Sequence, residues 1–443
     1  MAPSVGCRLE VQRPPRFYPE QQELQTALLC CCSSAEAMVE EEARSFLTQF
    51  TDEFPAALEQ DTPLPTSPLS RKISVDELHG ESLDLGLRLL SARQCPPLLA
   101  SLLCQAAVSE LLQRDLSMFH CPRDEEQEPV LLDSEPVQRL FINSLVAVAI
   151  RWLQAPPSLP PQPQRLVSAH AIRNTRRKME DKHVVLPHFS QLFGLTDGVQ
   201  RSYLAVFDGH GGLDAAAFAS AQLHVSLSRQ TELNSDPEVA FKQAFSQTDA
   251  MLQEKAQRER LRSGSTGVAA LIQGQRLLVA WLGDSQALLV RNGKEEEIMD
   301  PHKPDREDER QRVEDLGGCV TFRGCWRVNG TYAVSRAFGD FDQKPYVSSE
   351  ADCASVELRG DEDYLLLACD GFFDSVQPSA VPELVLEALR SPGEGAEKQE
   401  PGLAVAQALV SQAKEAGSSD NITVLVMFLR PPQQILQDSS PSG

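Results

Sequence analysis

The chain has 443 residues and a formal net charge of −22. Affinity for nucleic acid depends on basic side chains that neutralise phosphates, so this charge argues against a nucleic-acid partner and favours a protein or a small molecule. The eleven cysteines form none of the paired spacings of a zinc site, which predicts reduced, structural thiols; the run Cys30, Cys31 and Cys32 receives no assigned role.

The N-terminus lacks the basic and apolar layout of a signal peptide. The most apolar stretch, Phe141 to Leu153, is interrupted by Asn143 and Arg151 and is shorter than the roughly 20 residues of a membrane span. We therefore expect neither secretion nor a membrane partner.

The first third of the sequence has helical periodicity. Apolar residues recur at three- and four-residue intervals from Leu98 to Phe119, and a second helix is predicted after Ser134, a candidate cap, with Pro136 in its first turn. Such helices must bury their apolar stripes against each other, against the rest of the chain or against a partner.

A proline-rich loop lies earlier, between Asp61 and Ser70. The adjoining Arg71-Lys72-Ile73-Ser74 resembles a site for basophilic kinases, and a solvated turn explains it equally well. Whether Ser74 is phosphorylated is left open.

The clearest boundary is the proline-rich run at 155–163, because dense proline favours extended geometry over helix or sheet. We predict an acidic helical region for partner binding at 1–153, a linker at 154–165, a catalytic domain at 166–430 and a disordered tail at 431–443.

Beyond the linker, short β-like runs alternate with turns and occasional helices. The predicted strands are His183–Leu186, Tyr203–Phe207, Gly267–Ile272, Arg276–Leu282, Gln286–Arg291, Tyr364–Cys369 and Ile422–Leu429, with helices near Asp214–Leu227, Glu238–Arg260, Glu307–Leu316 and Pro382–Leu389. This pattern predicts an α+β fold: an antiparallel β-sandwich flanked by helices, with an N-terminal helical extension.

Carboxylates stand at several strand ends. Asp208-Gly209 and Asp370-Gly371 each end an apolar strand, and Asp420 precedes the last one. Any single Asp-Gly pair is more often a turn, but together they offer the oxygen ligands that Mg²⁺ and Mn²⁺ prefer. The sequence therefore predicts a metal site.

An ordered series of motifs runs through the same region. It comprises Arg176-Arg177-Lys178-Met179-Glu180-Asp181, Asp208-Gly209-His210-Gly211-Gly212, Ser263-Gly264-Ser265-Thr266, Gly283-Asp284-Ser285, His302-Lys303-Pro304, Val334-Ser335-Arg336-Ala337-Phe338-Gly339-Asp340, Asp370-Gly371-Phe372-Phe373-Asp374 and Asp420-Asn421. From about Leu166 to Leu429 the series resembles the PPM, or type-2C, family of metal-dependent Ser/Thr protein phosphatases.

The resemblance implies a role for each matching residue. Two tight ions, Mn²⁺ or Mg²⁺, would be held by Asp208, the Gly209 carbonyl, Asp370 and Asp420, with Glu180 acting through water and Asp181 as a further candidate. Asp284 and Asp374 would form a weaker third site with Asp370. Arg176 would bind the substrate phosphate, and Arg327, in the flap region 318–352, is a candidate substrate contact.

Elementary chemistry supports the same reaction. A phosphate monoester repels hydroxide, so its hydrolysis requires concentrated positive charge. Two adjacent divalent ions supply that charge and lower the pKa of a shared water, so no phosphoenzyme is required. We expect His210 to donate the proton to the leaving alkoxide, and His302 to brace a loop.

The acidic N-terminal extension further resembles one subgroup of the family. That resemblance implies protein kinases, such as calcium/calmodulin-dependent kinases, as phosphorylated substrates and PIX-type exchange factors as partners. The long poly-glutamate run of the nuclear relative is absent, so we expect a cytosolic location. Two alternatives remain: another metal-dependent phosphoryl hydrolase, such as a nuclease, which the acidic charge disfavours, and a partner-binding scaffold with secondary catalysis.

Overall fold

The computed structural model describes residues 40–121, 130–157, 165–390 and 402–439. Cys30, Cys31 and Cys32, most of the proline-rich run and the last four residues lie outside these ranges. None of the helices within the described ranges is both long enough and apolar enough to cross a membrane.

The strands of the described residues are short and mostly antiparallel. In chain order they are β1 (Lys72–Ser74), β2 (Leu131–Asp133), β3 (Val167–Ile172), β4 (Lys182–Leu186), β5 (Arg201–Phe207), β6 (Gly209–His210), β7 (Gly264–Ser265), β8 (Gly267–Gln273), β9 (Arg276–Leu282), β10 (Gln286–Arg291), β11 (Lys294–Glu297), β12 (Val320–Phe322), β13 (Trp326–Val328), β14 (Phe338–Gly339), β15 (Asp352–Glu357), β16 (Glu362–Ala368) and β17 (Ile422–Phe428).

Helices precede the strands and alternate with them. They are α1 (40–53), α2 (Leu78–Ser91), α3 (Pro97–Leu112), α4 (Ser134–Gln154), α5 (Phe189–Leu192), α6 (Asp214–Ser228), α7 (Pro237–Glu259), α8 (Glu307–Asp315), α9 (Asp370–Phe373), α10 (Val381–Arg390), α11 (Val405–Glu415) and α12 (Pro432–Asp438).

Two antiparallel sheets form the centre of the fold. One has the order β15-β9-β8-β5-β4 and the other β11-β10-β16-β17-β3. Their inner faces share a core that includes Leu204, Val268, Leu365 and Leu425. Strands such as β5, β16 and β17 are buried along their whole length because helices cover the outer faces.

The helices lie on both outer faces of this sandwich. Helices α6 and α7 cover the first sheet, and α10, α11 and α12 pack in a second cluster on the other. The predicted α+β class, an antiparallel sandwich flanked by helices, is confirmed.

The N-terminal helices share a buried core with the first layer, which consists of the first sheet and the helices α6 and α7 that cover it. Leu85 of α2 and Phe141 of α4 belong to the same buried cluster as Phe189 and Leu223. At the seam between them, the Gln222 side chain donates a hydrogen bond to the Glu77 carbonyl at 2.9 Å. The apolar stripes are therefore buried both against each other and against the helices of the sandwich.

Two predicted helix ends differ in detail. Helix α3 ends at Leu112, and residues to Phe119 form a turn and a short 3₁₀ segment. The reason is that the Asp115 carboxylate accepts the Ser117 N–H at 2.9 Å, which offers the backbone an alternative to the helix. Ser134 is the first residue of α4 and not its cap, since its N–H already bonds the Arg71 carbonyl at 2.9 Å and Asp133 belongs to β2.

The prediction of a disordered tail from residue 431 is wrong for the residues that form α12. Pro432 fits the first turn of a helix, and Ile435 is buried against the second cluster. Arg430 also forms an ion pair with Asp438 at 2.5 Å. The Pro- and Gln-rich composition does not reveal these tertiary contacts.

Candidate functional site

Predicted ligands from both sheets converge at one end of the sandwich. Asp208 follows β5 of the first sheet, and Asp284 lies on the connection from β9 of the first sheet to β10 of the second. Asp370 follows β16 and Asp420 precedes β17, both in the second sheet. Burial and the negative charges of neighbouring carboxylates raise the pKa values of Asp208, Asp284 and Asp370 above their usual range.

The tightest group consists of Asp181, Asp208 and Cys369, each of which offers one ligand atom within 4.8 Å of the others. Cys369 is not a suitable ligand, because burial and the surrounding carboxylates raise the pKa of its thiol well above its usual value. Its Sγ accepts the Thr423 N–H at 3.2 Å, and Thr423 in turn donates its hydroxyl to Asp181 at 2.7 Å. Cys369 and Thr423 thus position Asp181.

The ionised forms of these buried carboxyl groups repel one another. Burial and the charges of Asp370, Asp181 and Asp284 raise the pKa of Asp208 well above its usual range. Burial and Asp370 raise the pKa of Asp284 to about 7, and burial raises that of Asp181 to about 6. A divalent cation among them would remove this repulsion, so the donor set fits a hard metal ion.

The loop that carries Glu180 is fixed against both strand ends. Glu180 donates its N–H to the Asn421 side chain at 2.8 Å, and Asn421 donates to the Arg173 and Lys178 carbonyls at 2.9 and 3.0 Å. Glycine is required at 209, because a Cβ there would overlap the Glu180 carbonyl oxygen. The close approach brings Glu180 next to the Asp208-Gly209 turn.

His210 is paired with a buried acid from another part of the chain. Its Nε2 lies 2.7 Å from Oδ2 of Asp340, whose side chain is 1% exposed. Burial opposes protonation, but the hydrogen bond and charge of Asp340 outweigh it and raise the pKa of His210 above its usual value. A Cβ at position 264 would overlap both side chains, so Gly264 makes the pair possible.

Two cations pair with carboxylates of the acidic group. Arg176 forms an ion pair with Asp420 while its side chain remains 58% exposed, so the guanidinium is accessible to a substrate. Lys303 lies 3.6 Å from Asp374. Burial disfavours the Lys303 charge, but Asp284, Asp374 and Asp370 raise the pKa of its amine above the usual value.

Arg327 is not part of this cluster in the described residues. It lies on β13, and its guanidinium donates to the Thr331 carbonyl at 2.5 Å, in the turn that follows this strand. The Tyr332 ring of the same turn is 6.2 Å from the His210 ring, so this turn borders the site.

Sequence reasoning assigned no role to Asp340 or Lys303. Both belong to motifs of the ordered series, which was the available signal. His302, in contrast, is buried and bonded to Asp352 at 3.0 Å, in keeping with the bracing role expected of it.

Comparison with known proteins identifies the family. The sequence profile described as "Protein phosphatase 2C" matches residues 165–422. The chain belongs to the protein phosphatase 2C family. Human Protein phosphatase 1F is 52% identical over 411 residues, which cover 90% of this chain and 89% of that protein. Human Protein phosphatase 1E is 48% identical over 383 residues, covering 86% of this chain and 50% of that protein.

Solved structures agree on the fold of this phosphatase. A sex-determining protein of C. elegans matches with a TM-score of 0.69 at 23% identity, over 89% of this chain and 97% of that one. A serine-threonine phosphatase 2C from Toxoplasma gondii matches with a TM-score of 0.52 at 22% identity, over 61% and 96%. The family match and the identity to Protein phosphatase 1F confirm the predicted family and enzyme class: the chain is a metal-dependent protein Ser/Thr phosphatase of the 2C type.

Proposed function

We propose that this phosphatase hydrolyses phosphoserine and phosphothreonine at the acidic cluster, with two ions, Mn²⁺ or Mg²⁺, held by Asp208, the Gly209 carbonyl, Asp370 and Asp420. Glu180 would act through water, and Asp181 would support the same shell. The observation that carries the proposal is the convergence of carboxylates from both sheets, with ligand atoms of Asp181 and Asp208 within 4.8 Å of each other. The direction of the Asp208 pKa, raised by burial and by Asp370, Asp181 and Asp284, agrees with this crowding.

Bound there, two divalent ions would supply positive charge to the phosphoryl group and a nucleophile from water near neutral pH. The remaining tasks fall to the protein. Arg176, exposed beside Asp420, would orient the phosphate through its planar guanidinium. His210 would protonate the leaving alkoxide, and because its Nε2 is engaged by Asp340, the proton would come from Nδ1.

We also propose a weaker cation site formed by Asp284, Asp374 and Asp370. Asp284 is buried, whereas the Asp374 side chain is 65% exposed and already faces Lys303. An exposed and partly neutralised ligand binds a cation less tightly, which explains why this site would be weaker than the inner pair. Arg327 is proposed as a substrate contact from the hairpin beside Tyr332.

The substrates we propose are phosphorylated protein kinases, including calcium/calmodulin-dependent kinases, with PIX-type exchange factors as partners of region 1–153 and a cytosolic location. These proposals rest on the resemblance of the whole chain, including its N-terminal extension, to the subgroup described above. Strong identity to Protein phosphatase 1F over 90% of this chain supports extending the resemblance beyond the catalytic region.

A substrate competition tests the proposal. Activated calcium/calmodulin-dependent kinase and an unrelated phosphothreonine protein would be supplied together with Mn²⁺, with the Asp208→Asn variant as control. We expect faster loss of phosphate from the kinase with the wild-type chain only. Equal rates for both substrates would refute the kinase preference, and failure of a PIX-type factor to bind the full chain in a pull-down would refute that partner.

A further inference from the structure

A cavity of about 520 Å³ lies between the N-terminal region and the helices of the first layer. Its walls come from residues 69–72 at the start of β1, from α2 and β2, and from the first turns of α6 and the last turns of α7. Both the size and the position at a seam between structural units are typical of small-molecule sites.

The mouth of the cavity is basic in a strongly acidic protein. Arg71 and Lys72 line it, both are exposed, and within the described ranges neither forms an ion pair. The chain as a whole carries a net charge of −22. Two unneutralised cations at one opening therefore create a local attraction for anions that the rest of the surface opposes.

The interior contains donors that lack acceptors. Arg258 donates to Glu77 through Nη2 at 2.8 Å, but its Nε and Nη1 are buried without a hydrogen-bond partner among the described residues. Buried guanidinium N–H groups are usually satisfied, so these donors are suited to a ligand oxygen.

The acidic groups of the wall are mostly compensated. Glu259 pairs with Lys255 at 2.9 Å. Burial raises the pKa of Glu81 to about 7, which leaves its carboxyl partly protonated near neutral pH, and its Oε1 accepts the Ser70 hydroxyl at 2.5 Å. In the part of the chain that the structure describes, its Oε2 is buried without a partner, so a protonated carboxyl offers a further donor. Asp214 is the remaining acid of the wall.

The rest of the lining is apolar. Leu69, Leu131, Ala217 and Phe218 contribute to the cavity wall. A ligand that combines an apolar body with an anionic group would contact both parts of this surface.

We propose that this cavity binds a small anionic ligand that carries a phosphate, phosphonate or carboxylate group on an apolar body. The anionic group would contact Arg71, Lys72 and Arg258, and the body would lie against Leu131 and Phe218. Because the walls belong to both the N-terminal region and the sandwich, the bound ligand would hold the two together.

Calorimetric titration of the full chain with benzylphosphonate tests the proposal. EDTA would be present, so that ions at the acidic cluster do not bind the probe, and the reading would not depend on turnover. We expect binding to the wild-type chain with a rise in its unfolding temperature, and affinity at least about tenfold lower, or about 1.4 kcal/mol, for Arg71→Gln/Lys72→Gln.

The matched control is Arg359→Gln/Lys414→Gln, which removes two exposed charges that do not line the cavity and form no ion pair with any described residue. Unchanged binding by this variant supports the site. No binding by the wild-type chain, or equal weakening of both variants, would overturn it. Inorganic phosphate should bind more weakly than benzylphosphonate; equal affinity would refute the contribution of the apolar wall.

Discussion

The pairing of His210 with Asp340 makes a specific prediction for Asp340→Asn. The substitution keeps the shape of the side chain, and asparagine tolerates the left-handed backbone at this position, where φ is 49°. It removes the buried negative charge that lies 2.7 Å from Nε2. Charge-assisted hydrogen bonds contribute about 1.5–3 kcal/mol and neutral ones about half of that.

The expected loss of about 1.5 kcal/mol corresponds to roughly tenfold in rate, provided that proton donation limits turnover. The loss should appear with a phosphothreonine peptide, whose alkoxide needs a proton, and be much smaller with p-nitrophenyl phosphate, whose leaving group departs without one. The assay is kcat on both substrates, with the exposed Asp342→Asn as matched control.

A double-mutant comparison tests whether Asp340 acts through His210. In a His210→Gln background, Asp340→Asn should have no further effect, because its influence acts through the histidine. An undiminished tenfold loss in that background, or equal losses on the two substrates, would refute the role of Asp340 as a positioning residue for His210.

Three further changes test other parts of the account. Asp284→Ala or Asp374→Ala should lower kcat and raise the metal concentration needed, with a larger effect for the buried Asp284; calorimetry that shows loss of both tight ions would contradict this. A chain beginning at Gln164 should retain aryl phosphate hydrolysis, because the predicted site residues all follow it. It should unfold at a lower temperature, since apolar surface of α5 and α6 becomes exposed. Loss of hydrolysis by the folded protein would contradict the assignment of catalysis to the region after the linker. Burial raises the pKa of Glu81 from 4.5 to about 7, so the folded chain binds this proton more tightly than the unfolded chain. As the pH rises through that range, the free energy of unfolding of the wild type should fall relative to that of Glu81→Gln by up to about 3 kcal/mol. Parallel curves of unfolding free energy against pH for the two proteins, measured in denaturant, would contradict this.

Local sequence rules predicted those parts of the fold in which the pattern of apolar residues along the sequence matches the burial of their side chains in the structure. Strand ends at Asp208 and Asp370 could be placed because apolar runs stop there at Asp-Gly, and the two sheets then bring them together. The pairing of His210 with Asp340 could not be derived this way, because 130 residues separate them and the contact depends on the tertiary approach that Gly264 permits.

Two other features could not be predicted either, because they depend on tertiary contacts. Helix α12 is held by the burial of Ile435 and by the ion pair of Arg430 with Asp438, neither of which appears in local composition. The cavity also depends on tertiary structure, because Arg71 and Arg258, which both line it, come from the N-terminal region and from α7.

The central claim is that ions held by the carboxylates of Asp208, Asp370 and Asp420 drive phosphate release. The most direct test measures phosphate released from a phosphothreonine peptide by the wild-type chain and by Asp208→Asn, in EDTA and after titration with Mn²⁺ or Mg²⁺. We predict no release in EDTA, full recovery by the wild-type chain with added metal, and no recovery by a folded Asp208→Asn protein. Release by the wild-type chain at an unchanged rate in EDTA, or normal recovery by Asp208→Asn, would contradict the account.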